Sequence, residues 1–157
     1  MSQGGMQVSI PNDILIPEVR RLLDEGNEVV LKTKGGSMLP ASVADRDSVR
    51  LVKASFGTSQ KGDIVLAEVQ ERRYVLHRVI EKRGGQLILR GDGNLRLTEV
   101  CMPDQLIGVV TAVINPSGKE KKPGRAGLWR ALHPFVRRCV LAVYRRTILK
   151  LYNRIEL

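Results

Sequence analysis

Between Glu28 and Ile114 the apolar residues come in short runs of roughly period two, separated by turn-forming pairs. Alternation of this kind sends successive side chains to opposite faces, so it dictates short, half-buried strands. Val29 to Thr33 reads as one strand, and Ser48 to Lys53 as a second, with Val49 and Leu51 on one face and Arg50 and Val52 on the other. Ile64 to Val69 follows a Gly62-Asp63 turn. Tyr74 to Glu81 is joined through Gly84-Gly85 to Gln86 to Arg90, and Leu106 to Ile114 is a last, mostly apolar strand. Strands at this spacing predict a small sheet or barrel rather than a parallel α/β unit.

The flanks follow a different period. Residues 1–11 contain Gly and Ser and are expected to be mobile. Pro17 suits the first turn of a short helix with Val19, Leu22 and Leu23 as its apolar stripe and Gly26 as its stop. Asn115 to Gly127 reads as a linker, because Pro116, Ser117, Gly118, Pro123 and Gly124 fall among lysines. Beyond it Leu128, Leu132, Val136, Cys139, Val143, Ile148, Leu151 and Ile155 recur at helical spacing, and Pro134 is placed to open a second helix there. The expected organisation is an N-terminal segment over 1–27, a β core over 28–115, a linker over 116–127 and a basic helical tail over 128–157. The class is mainly β, α+β overall.

Charge separates these regions. The chain has 157 residues and a formal net charge of +10. Residues 1–116 hold 15 basic and 14 acidic side chains, whereas 117–157 hold 11 and 2. The field therefore belongs to the tail. Two cysteines make no disulfide framework and fit a reducing, cytoplasmic setting. No secretory signal is read at the start, and no apolar run reaches the ~18 residues a spanning helix needs. Two histidines and two widely separated cysteines form no metal-ligand pattern, and no cofactor is implied.

Four patches carry chemistry: Gly35-Gly36-Ser37-Met38-Leu39-Pro40, Lys61-Gly62-Asp63-Ile64-Val65, Leu76-His77-Arg78-Val79-Ile80 and Arg90-Gly91-Asp92-Gly93-Asn94. A serine in a glycine turn, a strand histidine and a turn aspartate are the residue types of an activated nucleophile, its general base and an acid that orients the base. Together and in this order, the patches resemble the type I signal peptidase and LexA-type repressor superfamily over about Val29 to Val113. The resemblance implies a mostly β peptidase core with Ser37 as nucleophile. It also implies His77 as base, in the manner of the archaeal and endoplasmic-reticulum signal peptidases, and Asp92 as the acid. Gly35, Gly36 and Met38 would line the substrate and oxyanion position, Gly35 standing where many bacterial members have a hydroxyl. A second family aspartate often follows the turn. Here Leu95, Arg96, Leu97 and Thr98 intervene, and Glu99 is the nearest acid. Signal peptidases carry a membrane anchor before the serine, and none is read here. By resemblance, substrate would bind as an extended peptide added beside strands near the serine. Asp63 is expected to fix a strand start, and Arg78 to be solvated or salt-bridged.

The expected function is thus peptide-bond hydrolysis. The alternative is an inactive peptide-binding module of the same fold, since fold alone does not establish activity. The tail supports a separate expectation. Arg137, Arg138, Arg145, Arg146, Lys150 and Arg154 beside the apolar stripe, with Trp129, Tyr144 and Tyr152, suit a helix lying on anionic lipid. The same stripe could instead pack on the β core, and both readings stay open. Nucleic acid ranks last, for want of a recognition motif. LexA-type members often cut their own chain at an Ala-Gly bond, so self-cleavage at Ala126-Gly127 would release the tail. The oligomeric state is not legible.

Overall fold

The computed structural model describes residues 11–35, 37–39, 43, 46–124, 129 and 131–154, the last seven by backbone alone. The expectations for residues 1–10, Gly36, Pro40, Leu128, the Ala126-Gly127 bond, Ile155 and the side chains of Ile148, Lys150, Leu151, Tyr152 and Arg154 lie outside what is described. The elements in chain order are α1 (Asn12–Asp24), β1 (Val29–Lys32), β2 (Ser48–Lys53), β3 (Ile64–Gln70), β4 (Arg73–Arg83), β5 (Gln86–Arg90) and β6 (Glu99–Cys101). A 3₁₀ turn (Pro103–Gln105), β7 (Leu106–Ile114), β8 (Glu120–Lys121) and α2 (Pro134–Arg154) complete them. Among the described residues, all strands join one antiparallel sheet in the order β1-β2-β7-β3-β4-β5-β6, with β8 on β7. The class is α+β, mainly β.

The central strands are buried on both faces, which is why β3 reads as a nearly continuous apolar run. Ile64 and Leu66 join one cluster with Val49, Leu51, Ile107, Val110 and Val113, closed by Ile16, Val19 and Leu23 of α1. Val65, Ala67 and Val69 point the other way, to Val79, Leu87, Leu89, Cys101 and Leu106. β6 packs back against β3, so the sheet curls over this second cluster.

Helix α1 begins earlier than its proline suggests. It starts at Asn12, with the amides of Ile14 and Leu15 both bonded to the Pro11 carbonyl, and Pro17 lies inside it. The ring removes one donor, but Ile16, Val19 and Leu23 still fall on one face and bury it. Burial of that face outweighs the lost bond. The helix stops where expected. Gly26 takes φ 88°, its N–H bonds to Leu23 O at 3.0 Å, and Asn27 N–H bonds to Leu22 O at 3.0 Å. This is the Schellman arrangement, and the left-handed residue within it favours glycine.

Two short strands were not expected. β6 has three residues and pairs with β5 through Leu87↔Cys101, Ile88↔Val100 and Leu89↔Glu99. β8 lies in the segment read as linker. Asn115 N–H bonds to Lys119 O at 3.0 Å, which turns the chain so that Val113 faces Lys121. Arg50 of β2 is ion-paired with Glu120 of β8, so the start of this segment is tied to the sheet. Helix α2 opens at Pro134, as expected.

Leu23 is wholly enclosed. Leu23→Ala is expected to cost ~2–5 kcal/mol in urea unfolding, because the cavity can close only partly. Cys101 is equally enclosed, and burial, with the Asp104 carboxylate adding to it, pushes its thiol up to about 11. Cys139 is exposed. At mildly alkaline pH, iodoacetamide is expected to modify Cys139 in the folded protein and Cys101 only after unfolding, as read by intact mass.

Candidate functional site

Two neighbouring residues of β4, His77 and Arg78, organise the site. Strand alternation sends their side chains to opposite faces, yet both are buried, Arg78 fully. Each finds its own carboxylate. His77 Nδ1 lies 2.9 Å from Glu99 Oε2. Arg78 meets Asp92 through two parallel bonds, Nε to Oδ1 and Nη2 to Oδ2, both 2.8 Å. The expectation that Asp92 orients His77 is therefore corrected. Its carboxylate is taken by a fully desolvated guanidinium, whose planar fork matches it bidentately. The carboxylate at His77 belongs to Glu99, the acid that follows the turn.

Glu99 is held from two sides. Arg73 Nη2 donates to Oε1 at 3.2 Å, while Oε2 faces the imidazole. The pairing of β5 with β4 begins only at Arg78↔Arg90, so β5 does not pair with the earlier half of β4. The chain leaves β5 through the Gly91-Asn94 turn and returns at β6, whose first residue is Glu99.

Arg78 does more than pair. Its Nη1 donates to Gly62 O at 2.6 Å and to Gly124 O at 2.7 Å. One side chain thus ties the turn into β3, the Asp92 turn and the segment after β8. The salt-bridged alternative for Arg78 is the one observed. The C-terminal side adds a second tie: Trp129 Nε1–H donates to Asp92 O at 2.8 Å. Trp129 is buried, so its ring faces the protein and not a lipid surface. Asp63 Oδ2 accepts from Gln60 N–H at 2.8 Å, which fixes the turn just before β3.

The Asp92 turn in turn holds the serine segment. Gly93 N–H donates to Ser37 O at 2.7 Å, and Asp92 N–H donates to Met38 Sδ at 3.5 Å. Gly91 makes the approach possible. A Cβ there would stand 2.5 Å from Ser37 O and 3.1 Å from His77 Nε2. No larger residue fits without moving one of them. The serine turn and the Nε2 end of the imidazole thus flank one glycine.

Ser37, His77 and Glu99 all line a cleft of about 1090 Å³. Its walls include Leu31 to Lys34 at the end of β1, Arg73 to Leu76 of β4, and Leu15 and Ile16 of α1. Gly35 and Met38 also line it. Met38 is mostly buried in the core beneath, and Ser37 is exposed. Among the described residues, β1 is the last strand of the sheet and β4 has no partner opposite β3 before Arg78, so two strand edges border this space. Among the described residues no cluster of His, Cys, Asp and Glu could hold a metal ion. No known protein-family model matches the chain.

The tail arginines divide. Arg138, Arg145 and Arg146 are exposed, whereas Arg137 is buried beside Leu141 one turn on. Burial removes Arg137 from the set available to an anionic surface.

Because the Arg78–Asp92 pair is desolvated, Arg78→Met is expected to cost ~3–5 kcal/mol by leaving a buried carboxylate alone. Adding Asp92→Leu should recover part of that loss in urea unfolding. A single variant no less stable than wild type would refute this structural role.

Proposed function

We propose that this protein is a serine peptidase of the signal-peptidase and LexA-type class, with Ser37 as nucleophile, His77 as general base and Glu99, in place of Asp92, as the orienting acid. The observation that carries this reading is the 2.9 Å bond between His77 Nδ1 and Glu99 in the wall of the cleft that Ser37 also lines. A carboxylate on Nδ1 fixes the tautomer that leaves Nε2 as acceptor and stabilises the imidazolium formed when that nitrogen takes a proton. Ser37 Oγ attacks the peptide carbonyl carbon and its proton passes to His77. The C–N bond then breaks as the imidazolium protonates the departing amine. Water, activated by the same imidazole, releases the acyl group from Ser37.

The two open strand edges favour an extended peptide as substrate, bonded through its main chain to β1, β4 or both, with side chains directed alternately into the cleft. They equally favour a second reading, peptide capture without turnover. Catalytic variants separate the two.

Incubated with a diverse peptide library and read by mass spectrometry, the wild-type protein is expected to generate products that Ser37→Ala does not. Glu99→Gln should lower kcat by roughly 10²–10⁴-fold, with a far smaller loss of stability than Arg78→Met. Identical products from wild type and Ser37→Ala would exclude the peptidase. Retained peptide affinity in both proteins would then support the binding module.

A further inference from the structure

Of the apolar stripe read from the tail sequence, Leu132 is half-buried, whereas Val136, Cys139 and Val143 face outward. Among the described side chains of α2, those turned inward are Arg137 and Leu141, with Tyr144 half-buried, spaced by four and three. About a third of a turn round the helix lie Val136, Cys139, Val140 and Val143, all exposed. Val143 is 61% exposed, and Phe135 at the edge of the same stripe 68%. Side chains of this size in a continuous row are normally covered. The face bearing Arg137 and Leu141 is already covered, so this second stripe is free to serve something else.

Charge identifies what covers it. The sequence of α2 holds six basic residues and no acidic one. On the helical wheel Arg146 borders the stripe beside Phe135, whereas Arg138 and Arg145 lie about 140–180° from Val136, Val140 and Val143. All three are exposed. Arginine stems can lie along an apolar surface while their heads reach phosphate. We propose that α2 is a docking face for an anionic bilayer surface, with Phe135, Val136, Val140 and Val143 entering the headgroup–acyl boundary, Arg146 at the stripe's border meeting a lipid phosphate, and the other basic residues of the helix adding to the field that draws it there. No described helix is long and apolar enough to cross a membrane, so the contact lies in the plane of the interface. A second copy fits poorly, since two such cationic helices repel. A nucleic acid would satisfy the arginines and leave the stripe bare. Trp129, five residues before α2, is bonded to the Asp92 turn. The helix is therefore tethered a few residues from the cleft, and docking holds that cleft near the lipid surface.

This inference stands apart from the peptidase reading, and its test uses the full-length Ser37→Ala protein, so that neither failure disguises the other. Flotation is measured with phosphatidylcholine vesicles with and without phosphatidylglycerol, over a range of salt. Binding is expected with phosphatidylglycerol and should weaken as salt rises. Phe135→Ser with Val143→Ser, both at exposed positions, should lower it roughly tenfold or more. Arg146→Gln should cost about fivefold and Arg145→Gln, on the far side of the helix, distinctly less, with circular dichroism unchanged throughout. Three results would overturn the proposal: no flotation at low salt, flotation indifferent to the Phe135 and Val143 changes, or those changes dissolving a dimer in sedimentation without touching lipid. Tighter binding to a duplex oligonucleotide than to the vesicles would assign the face to nucleic acid instead.

Discussion

The buried bond between Arg78 and Asp92 is the interaction on which the arrangement of the cleft rests. Taking both ions out of water costs several kcal/mol each before any attraction is counted. The cost is offset by directional bonds from the guanidinium, two to Asp92, one to Gly62 O and one to Gly124 O. An apolar residue could fill the space but could not specify four positions at once. The pair fixes the Asp92 turn, and the backbone of that turn fixes Ser37 and Met38. Control of the serine passes from one guanidinium through main-chain amides.

The same logic explains why the site combines two carboxylates without mixing their roles. His77 and Arg78 are adjacent, so the pleat directs them to opposite faces. The chain between β5 and β6 supplies Asp92 to one face and Glu99 to the other. Asp92 is locked away from the cleft, whereas Glu99 is shared between the imidazole and Arg73. Within one loop, a structural acid and an acid in the cleft wall differ in which face of β4 they reach.

Much of this was legible in the sequence. The period-two runs located β1 to β5 and β7, because alternating burial is written directly into residue order. β6 left no such trace: three residues are too few for a period, and it pairs with β5 alone. β8 was hidden among lysines and turn residues. Pro17 marked a helix but misplaced its start, since propensity is local while burial of Ile16, Val19 and Leu23 is not. The Gly91-Asp92-Gly93-Asn94 turn drew attention to the correct loop and the wrong acid. Which carboxylate meets His77 depends on Arg78 being fully buried, and a charged strand residue gives no sign of that in sequence. Helical spacing in the tail marked a helix opening at Pro134, but could not say that Val136, Cys139 and Val143 would be exposed while Arg137 is buried.

The outer edge of β1, unpaired among the described residues, has a consequence for solubility. An uncovered row of backbone donors and acceptors is a template for any extended chain, including a neighbour's β1, and repeated pairing of that kind builds fibrils. Val30 on this strand is more than half exposed, so apolar contact would reinforce the error. Lys32 and Lys34, both exposed, place like charges where two such edges would meet. A transient peptide can tolerate two ammonium groups at one end of the groove. A stack of identical strands would have to bring them into register at every layer, so these lysines keep an open groove from becoming a site of aggregation.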